Sequence, residues 1–168
     1  MEIYLEKCTI DNFEEFYFLR CDDENLYWTG YKNKPIKENL KIWYINQLKR
    51  EDRIIFLAKN KANANTIGYL YLDIVGENKN ICETGHGVHS KFKGRGIGTE
   101  IIRMALEYVN KNLNFISRVD GWILENNKGS IKTVLKNGYF KTDEVKKVFL
   151  DSTNKLEILR KYSYKISR

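Results

Sequence analysis

The segment Val88-His89-Ser90-Lys91-Phe92-Lys93-Gly94-Arg95-Gly96-Ile97-Gly98-Thr99 constrains this chain more than any other. Gly94, Gly96 and Gly98 leave alternate positions without a Cβ, so a phosphate can approach the main chain closely. Directly after them, Ile97, Ile101, Ile102, Ala105, Leu106 and Val109 recur at three- and four-residue intervals, which predicts a helix with one apolar stripe. The first amides of such a helix have no partner within it and form an anion cradle. Lys91, Lys93 and Arg95 bring positive charge to the same end, which a glycine turn that only caps a helix does not need.

Two familiar phosphate motifs fail on these residues. A Walker A loop requires Lys and then Ser or Thr after its last glycine, whereas Gly98 is followed by Thr99-Glu100. A dinucleotide fingerprint requires Gly-x-Gly-x-x-Gly near the start of a βαβ fold, and Gly94-Arg95-Gly96-Ile97-Gly98 has another spacing past the middle of the chain. Lys93-Gly94-Arg95-Gly96-Ile97-Gly98 instead resembles the Gln/Arg-x-x-Gly-x-Gly/Ala signature of the Gcn5-related N-acetyltransferases, the GNAT family. Ile123-Leu124-Glu125-Asn126-Asn127-Lys128-Gly129-Ser130 is similar to that family's Val-x-x-x-Asn-x-x-Ser/Ala, and Leu135-Lys136-Asn137-Gly138-Tyr139 to its Glu-Lys-x-Gly-Phe ending.

The resemblance implies acetyl-CoA as cosubstrate. Its pyrophosphate would lie on the amides of Arg95, Gly96, Gly98 and Thr99, within the loop that Gly94 and Ile97 complete, with Lys93 at the Gln/Arg position. The main chain near Val88 would pair with the pantetheine arm, and Asn127, with Ser130 in the same motif, would meet the cofactor. Asn127 serves equally as an N-cap for the short helix after it, and the two roles are compatible. The family's usual general acid is a tyrosine at the position of Val134, as is also missing in branches that act on ribosomal protein N-termini. Tyr139 takes the family's Phe position as a core ring.

An ammonium cannot attack a thioester, so a proton acceptor is required. Glu83 shares strand parity with Gly85 and Gly87, whose missing side chains are expected to leave room for a substrate beside the carboxylate. His86, on the opposite face, is the second candidate. The resemblance makes the loop between the first two helices a wall of the acceptor site, and there Asp23, Tyr27 and Trp28 are the candidate substrate-binding residues, suited to a cationic amine or amino sugar. The acceptor is expected to be the primary amine of a small molecule such as an amino sugar, amino acid or polyamine. A protein N-terminus is the alternative, and an acetyl-CoA sensor or nucleic-acid-binding module the non-enzymatic ones.

The 168 residues suit a single domain, residues 1–168. The predicted order is βααβββαβαββ, an α/β fold with a mixed central sheet. Its strands fall at 2–8, 53–60, 66–75, 81–89, 115–124, 139–150 and 155–166. One helix follows Thr9, one has Pro35 in its first turn, one carries the apolar stripe, and one spans 127–137 with Ile131, Val134 and Leu135 inward; 21–31 is expected as a loop. Cys8, Cys21 and Cys82, odd in number and far apart, argue against disulfides and for a reducing cytoplasm. Cys82 and His86 share a strand face that His89 does not, so no metal site is expected. A net charge of +7 raises the nucleic-acid reading, but the lysines are interspersed with acids and form no basic arm. No signal peptide, membrane span or membrane partner is expected, nor a nucleic-acid partner, and the chain is read as a monomer or homodimer.

Overall fold

A computed structural model describes residues 1–167 of the 168. Strands β1 (Ile3–Lys7), β2 (Arg53–Asn60), β3 (Thr66–Val75), β4 (Ile81–Val88), β5 (Arg118–Leu124), β6 (Phe140–Leu150) and β7 (Lys155–Lys165) form one sheet in the order β1-β2-β3-β4-β5-β7-β6. Every neighbouring pair is antiparallel except β4 and β5, which are parallel. A parallel pair needs a crossover, and here it is α4 (Ile97–Asn112). Ile101, Ile102, Ala105 and Val109 of α4 are buried against β3, β4 and β5 with Leu70, Leu72 and Val119. At about 25 cal/mol per Å² of apolar surface removed from water, this stripe fixes the helix far more firmly than its intrinsic propensity.

The opposite face of the sheet carries α1 (Phe13–Arg20) and α3 (Lys37–Leu48), which bury Phe16, Leu19 and Tyr44 over Leu57 and Tyr69. Thr9 and Asn12 form a capping box on the 3-10 turn that leads into α1. The predicted loop at 21–31 contains a further helix, α2 (Asp23–Thr29). No apolar stripe announces it; its ends define it. Asp22 accepts from Asn25 N at 3.1 Å, and Gly30 closes it in the left-handed conformation at φ +89°.

Other expectations change in detail. Pro35 lies before α3 rather than in its first turn, because Ile36 is still extended at ψ 124° and precedes the first helical residue, Lys37. Phe115 to Ser117 precede β5, with Ile116 N bonded back to Leu113 O in a turn. Leu135 of α5 (Lys128–Lys136) is 48% exposed, while Val134 alone in that helix is fully buried.

Candidate active site

The parallel pair β4 and β5 stays in register for only three residues, Ile81 to Glu83 against Arg118 to Asp120. Thr84 Oγ1 still reaches Asp120 O at 3.3 Å, and beyond it the strands separate. The edge of β4 that faced β5 therefore has no strand beside it from Gly85 to Val88, while β3 continues to pair on the other side. Such an edge can accept an extended ligand as an added strand. The gap opens into a cleft of about 620 Å³.

The glycine loop forms one end of this cleft. Gly94 and Gly96 sit at φ +74° and +76°, a region that side chains disfavour, and a Cβ on either would meet nothing within 4 Å. The backbone, not packing, requires glycine here. Gly96 is the N-cap of α4 and supplies no side-chain acceptor, in contrast to Asp22 and Asn127 at the starts of α2 and α5. Ile97, Gly98 and Thr99 line the cleft, and as first-turn residues at the positive end of the helix dipole their amides have no capping side chain. Gly98 is glycine for a different reason: a Cβ there would lie 3.3 Å from His86 Nε2 and 3.5 Å from Thr133 Oγ1.

Lys93, Lys132 and Lys136 line the cleft, whereas Lys91 lines a separate groove and the Arg95 guanidinium lies over the Phe92 ring, 5.9 Å from its centroid. Lys93 Nζ pairs with Glu24 of α2 across the mouth. Asn127 caps α5, its Oδ1 accepting from Ser130 N at 3.1 Å, and both residues line the cleft, as does Val88. Asn137, which sequence reasoning did not single out, donates to Thr99 O at 3.0 Å and Thr133 O at 2.9 Å, tying the end of α5 to the loop.

Glu83 is not among the residues that line the cleft; its Oε1 accepts at 3.0 Å from Nε1 of Trp122, which does line it. The space expected beside Gly85 and Gly87 is filled. Tyr69 pairs with Gly87 and Tyr71 with Gly85 across β3 and β4, and the Tyr69 ring lies where a Gly87 Cβ would be, 2.5 Å away. The two glycines thus make room for tyrosine rings, and these rings line the cleft in place of an open pocket. His86 lies on the α4 face of the strand, beneath Gly98, and burial pushes its pKa down to about 4, so it is a neutral ring near pH 7.

Of the three substrate candidates on α2, Trp28 lines the cleft; Asp23 is exposed in the first turn, and Tyr27 is 42% exposed, edge-on to Trp28. Glu24 and Asn25 of the same helix do line it. Helical spacing decides this outcome, since it carries 24, 25 and 28 to one side and 23 and 27 to another. Asp22 is buried. Burial opposes its ionisation, yet bonds from Ser90 Oγ at 2.6 Å and Ser90 N at 3.1 Å hold the carboxyl below the ordinary aspartate range. It thereby anchors α2 to the turn that precedes the glycine loop.

Val134 is buried and carries no proton to give. Tyr139 is a buried ring packed 5.7 Å from Tyr164, and burial pushes its hydroxyl up. Cys82 lies in the core, its thiol pushed up to about 12 by burial, away from His89, which is stacked on Phe18. Among the described residues no group of three or more His, Cys, Asp or Glu side chains is arranged to hold a metal ion.

A mixed sheet split between two parallel strands, with an uncapped glycine-rich helix start at the split, sets an anion cradle beside a free strand edge. The GNAT acetyltransferase domain family matches residues 2–139. This chain belongs to the GNAT acetyltransferase family. A curated relative, an uncharacterized N-acetyltransferase from Methanocaldococcus jannaschii, is 30% identical over 145 residues, which cover 83% of this chain and 60% of the relative. The chain therefore spans less than two thirds of that relative's length. Among solved structures, spermidine N-acetyltransferase from Vibrio cholerae in complex with CoA and spermine superposes with a TM-score of 0.84 at 14% identity, covering 97% of this chain and 95% of that one. Ribosomal-protein-S5-alanine acetyltransferase from Vibrio fischeri gives 0.80 at 16% identity, covering 98% and 93%. Aminoglycoside acetyltransferase AAC(6′)-Ib in complex with coenzyme A gives 0.79 at 15%, covering 98% and 95%.

Proposed function

We propose that this protein is an acetyl-CoA-dependent N-acetyltransferase that moves the acetyl group to a primary amine of a small molecule by direct attack. The observation that carries this reading is the meeting of two features in one cleft: the uncapped, left-handed-glycine start of α4 and the unpaired edge of β4. The first suits a pyrophosphate and the second an extended, amide-bearing arm. The similar folds of proteins solved with CoA, one also holding spermine, support it.

In this reading the amides of Arg95, Gly96, Gly98 and Thr99 hold the pyrophosphate, with Lys93, paired with Glu24, beside them. Val88 main chain, Asn127 and Ser130 hold the arm. The neutral amine nitrogen attacks the thioester carbon, the C–N bond forms, and the C–S bond breaks as the thiolate leaves. Glu83 receives the amine proton through water, with Trp122 holding the carboxylate in place. The thiolate takes its proton from solvent, since Val134 offers none.

Calorimetry with acetyl-CoA, CoA and ATP, followed by thiol release across a panel of amines, tests the reading. Acetyl-CoA and CoA should bind, and Gly96→Ala should weaken both, because its φ of +76° costs about 1–2 kcal/mol for a side-chain-bearing residue. Binding of ATP without response to CoA would overturn the reading.

A further inference from the structure

Beside the tyrosines that line the acceptor half of the cleft, just outside its lining, lies a cation with no carboxylate partner. Arg20, the last residue of α1, is half-buried, and among the described residues no carboxylate lies within 4.0 Å of its guanidinium. Its neighbours are tyrosines: Nη1 is 3.5 Å from the Tyr71 hydroxyl, and the guanidinium lies 5.4 Å from the Tyr31 ring centroid. Tyr71 and Tyr69 line the cleft. Tyr69 is buried and Tyr71 half-buried, which pushes their hydroxyls up, while Arg20 opposes that rise, so both stay protonated and can donate.

The acids nearby are already engaged. Asp73 takes Arg53 through two bonds of 2.5 and 2.7 Å, Asp22 takes Ser90, Glu24 takes Lys93, and Glu83 takes Trp122. Trp122 is capped by Lys146, whose Nζ is 4.2 Å from the ring centroid and has no carboxylate partner among the described residues. Half-buried guanidinium groups are ordinarily paired, and the negative end of α1 supplies only a partial charge. Arg20 presents a planar fork that matches a carboxylate, with two tyrosine hydroxyls as further donors.

We propose that the acceptor amine also carries a carboxylate, as an amino acid does, and that Arg20 with the hydroxyls of Tyr69 and Tyr71 receives it. This rests on the acetyl-transfer reading above and narrows its substrate to zwitterionic amines, against polyamines and aminoglycosides, whose added positive charge Arg20 and Lys146 repel. Arg20 is then a specificity-determining residue.

The test is thiol release from acetyl-CoA with α- and ω-amino acids, their methyl esters, spermidine and kanamycin. At least one free amino acid is expected to exceed its own ester tenfold or more in kcat/KM. Arg20→Gln should erase that difference by raising KM about tenfold or more for the acid, with kcat within about twofold and calorimetric CoA affinity unchanged. Arg20→Lys should restore part of it, since the charge returns without the fork. A better rate with esters, spermidine or kanamycin overturns the proposal but leaves the acetyl-transfer reading standing, as does discrimination for the acid that survives in Arg20→Gln. No thiol release from any amine, with CoA bound, overturns both.

Discussion

Gly87 is where a single methyl group should report on the architecture of the acceptor wall. A Cβ built there lies 2.5, 2.6 and 2.8 Å from Cε1, Cζ and the hydroxyl of Tyr69, well inside van der Waals contact. The ring has little room to retreat, since Tyr69 is buried, packed 5.1 Å from Tyr71 and 6.3 Å from Phe16 between centroids. Forcing a methyl into such packing costs about 1–3 kcal/mol. For a chain of this size that lowers Tm by roughly 2–12 °C. In a Tyr69→Leu background the obstacle is gone, and Gly87→Ala should become neutral or stabilising by about 0.5–1 kcal/mol, since alanine loses less backbone entropy in a strand than glycine. Urea unfolding of the four proteins gives the coupling, expected at about 2 kcal/mol or more. If the two substitutions add to within about 0.5 kcal/mol, the tyrosine does not occupy the glycine's space and the account of this wall is wrong.

Three further outcomes are expected. Burial pushes the pKa of His86 in the fold from the ordinary 6.5 to about 4, so the unfolded chain binds a proton there first, and stability falls as pH drops from 6.5 to about 4 and is flat below. His86→Gln should remove up to roughly 3 kcal/mol of that fall, measured by urea unfolding across the window, and an imidazole NMR resonance titrating near 6.5 would contradict it. Asp22→Asn should cost about 2–3 kcal/mol at neutral pH by weakening the charge-assisted bonds from Ser90 and the cap of α2; its folded pKa is depressed, so the parent's advantage should vanish as pH falls through that value, and an advantage that persists in acid would refute the assignment. Glu83→Gln should retain CoA affinity and lose turnover most below the amine's own pKa, where a base is needed, and a pH–rate profile identical to the parent's would remove Glu83 from the reaction.

What the sequence made legible follows the reach of local chemistry. The seven strands, the striped helix and the glycine loop were readable because each is encoded by its own periodicity or by residues with special backbone freedom. Helix α2 was not, since an Asp22 cap and a left-handed Gly30 bound a segment with no apolar stripe, and a cap is far less visible than a stripe. The same limit applied to Glu83: strand parity put it on the same face as Gly85 and Gly87, but not what fills that face, because the rings of Tyr69 and Tyr71 arrive from β3. An alternating Tyr69-Leu70-Tyr71 facing Gly85-His86-Gly87 was the available cue, as large and small residues opposed across a hairpin fit one another. Arg20 was out of reach, since its lack of a partner becomes a property only once every nearby acid has been assigned to another group. In the reading proposed for Arg20, substrate choice follows from which charges the fold leaves over, and that remainder exists only in three dimensions.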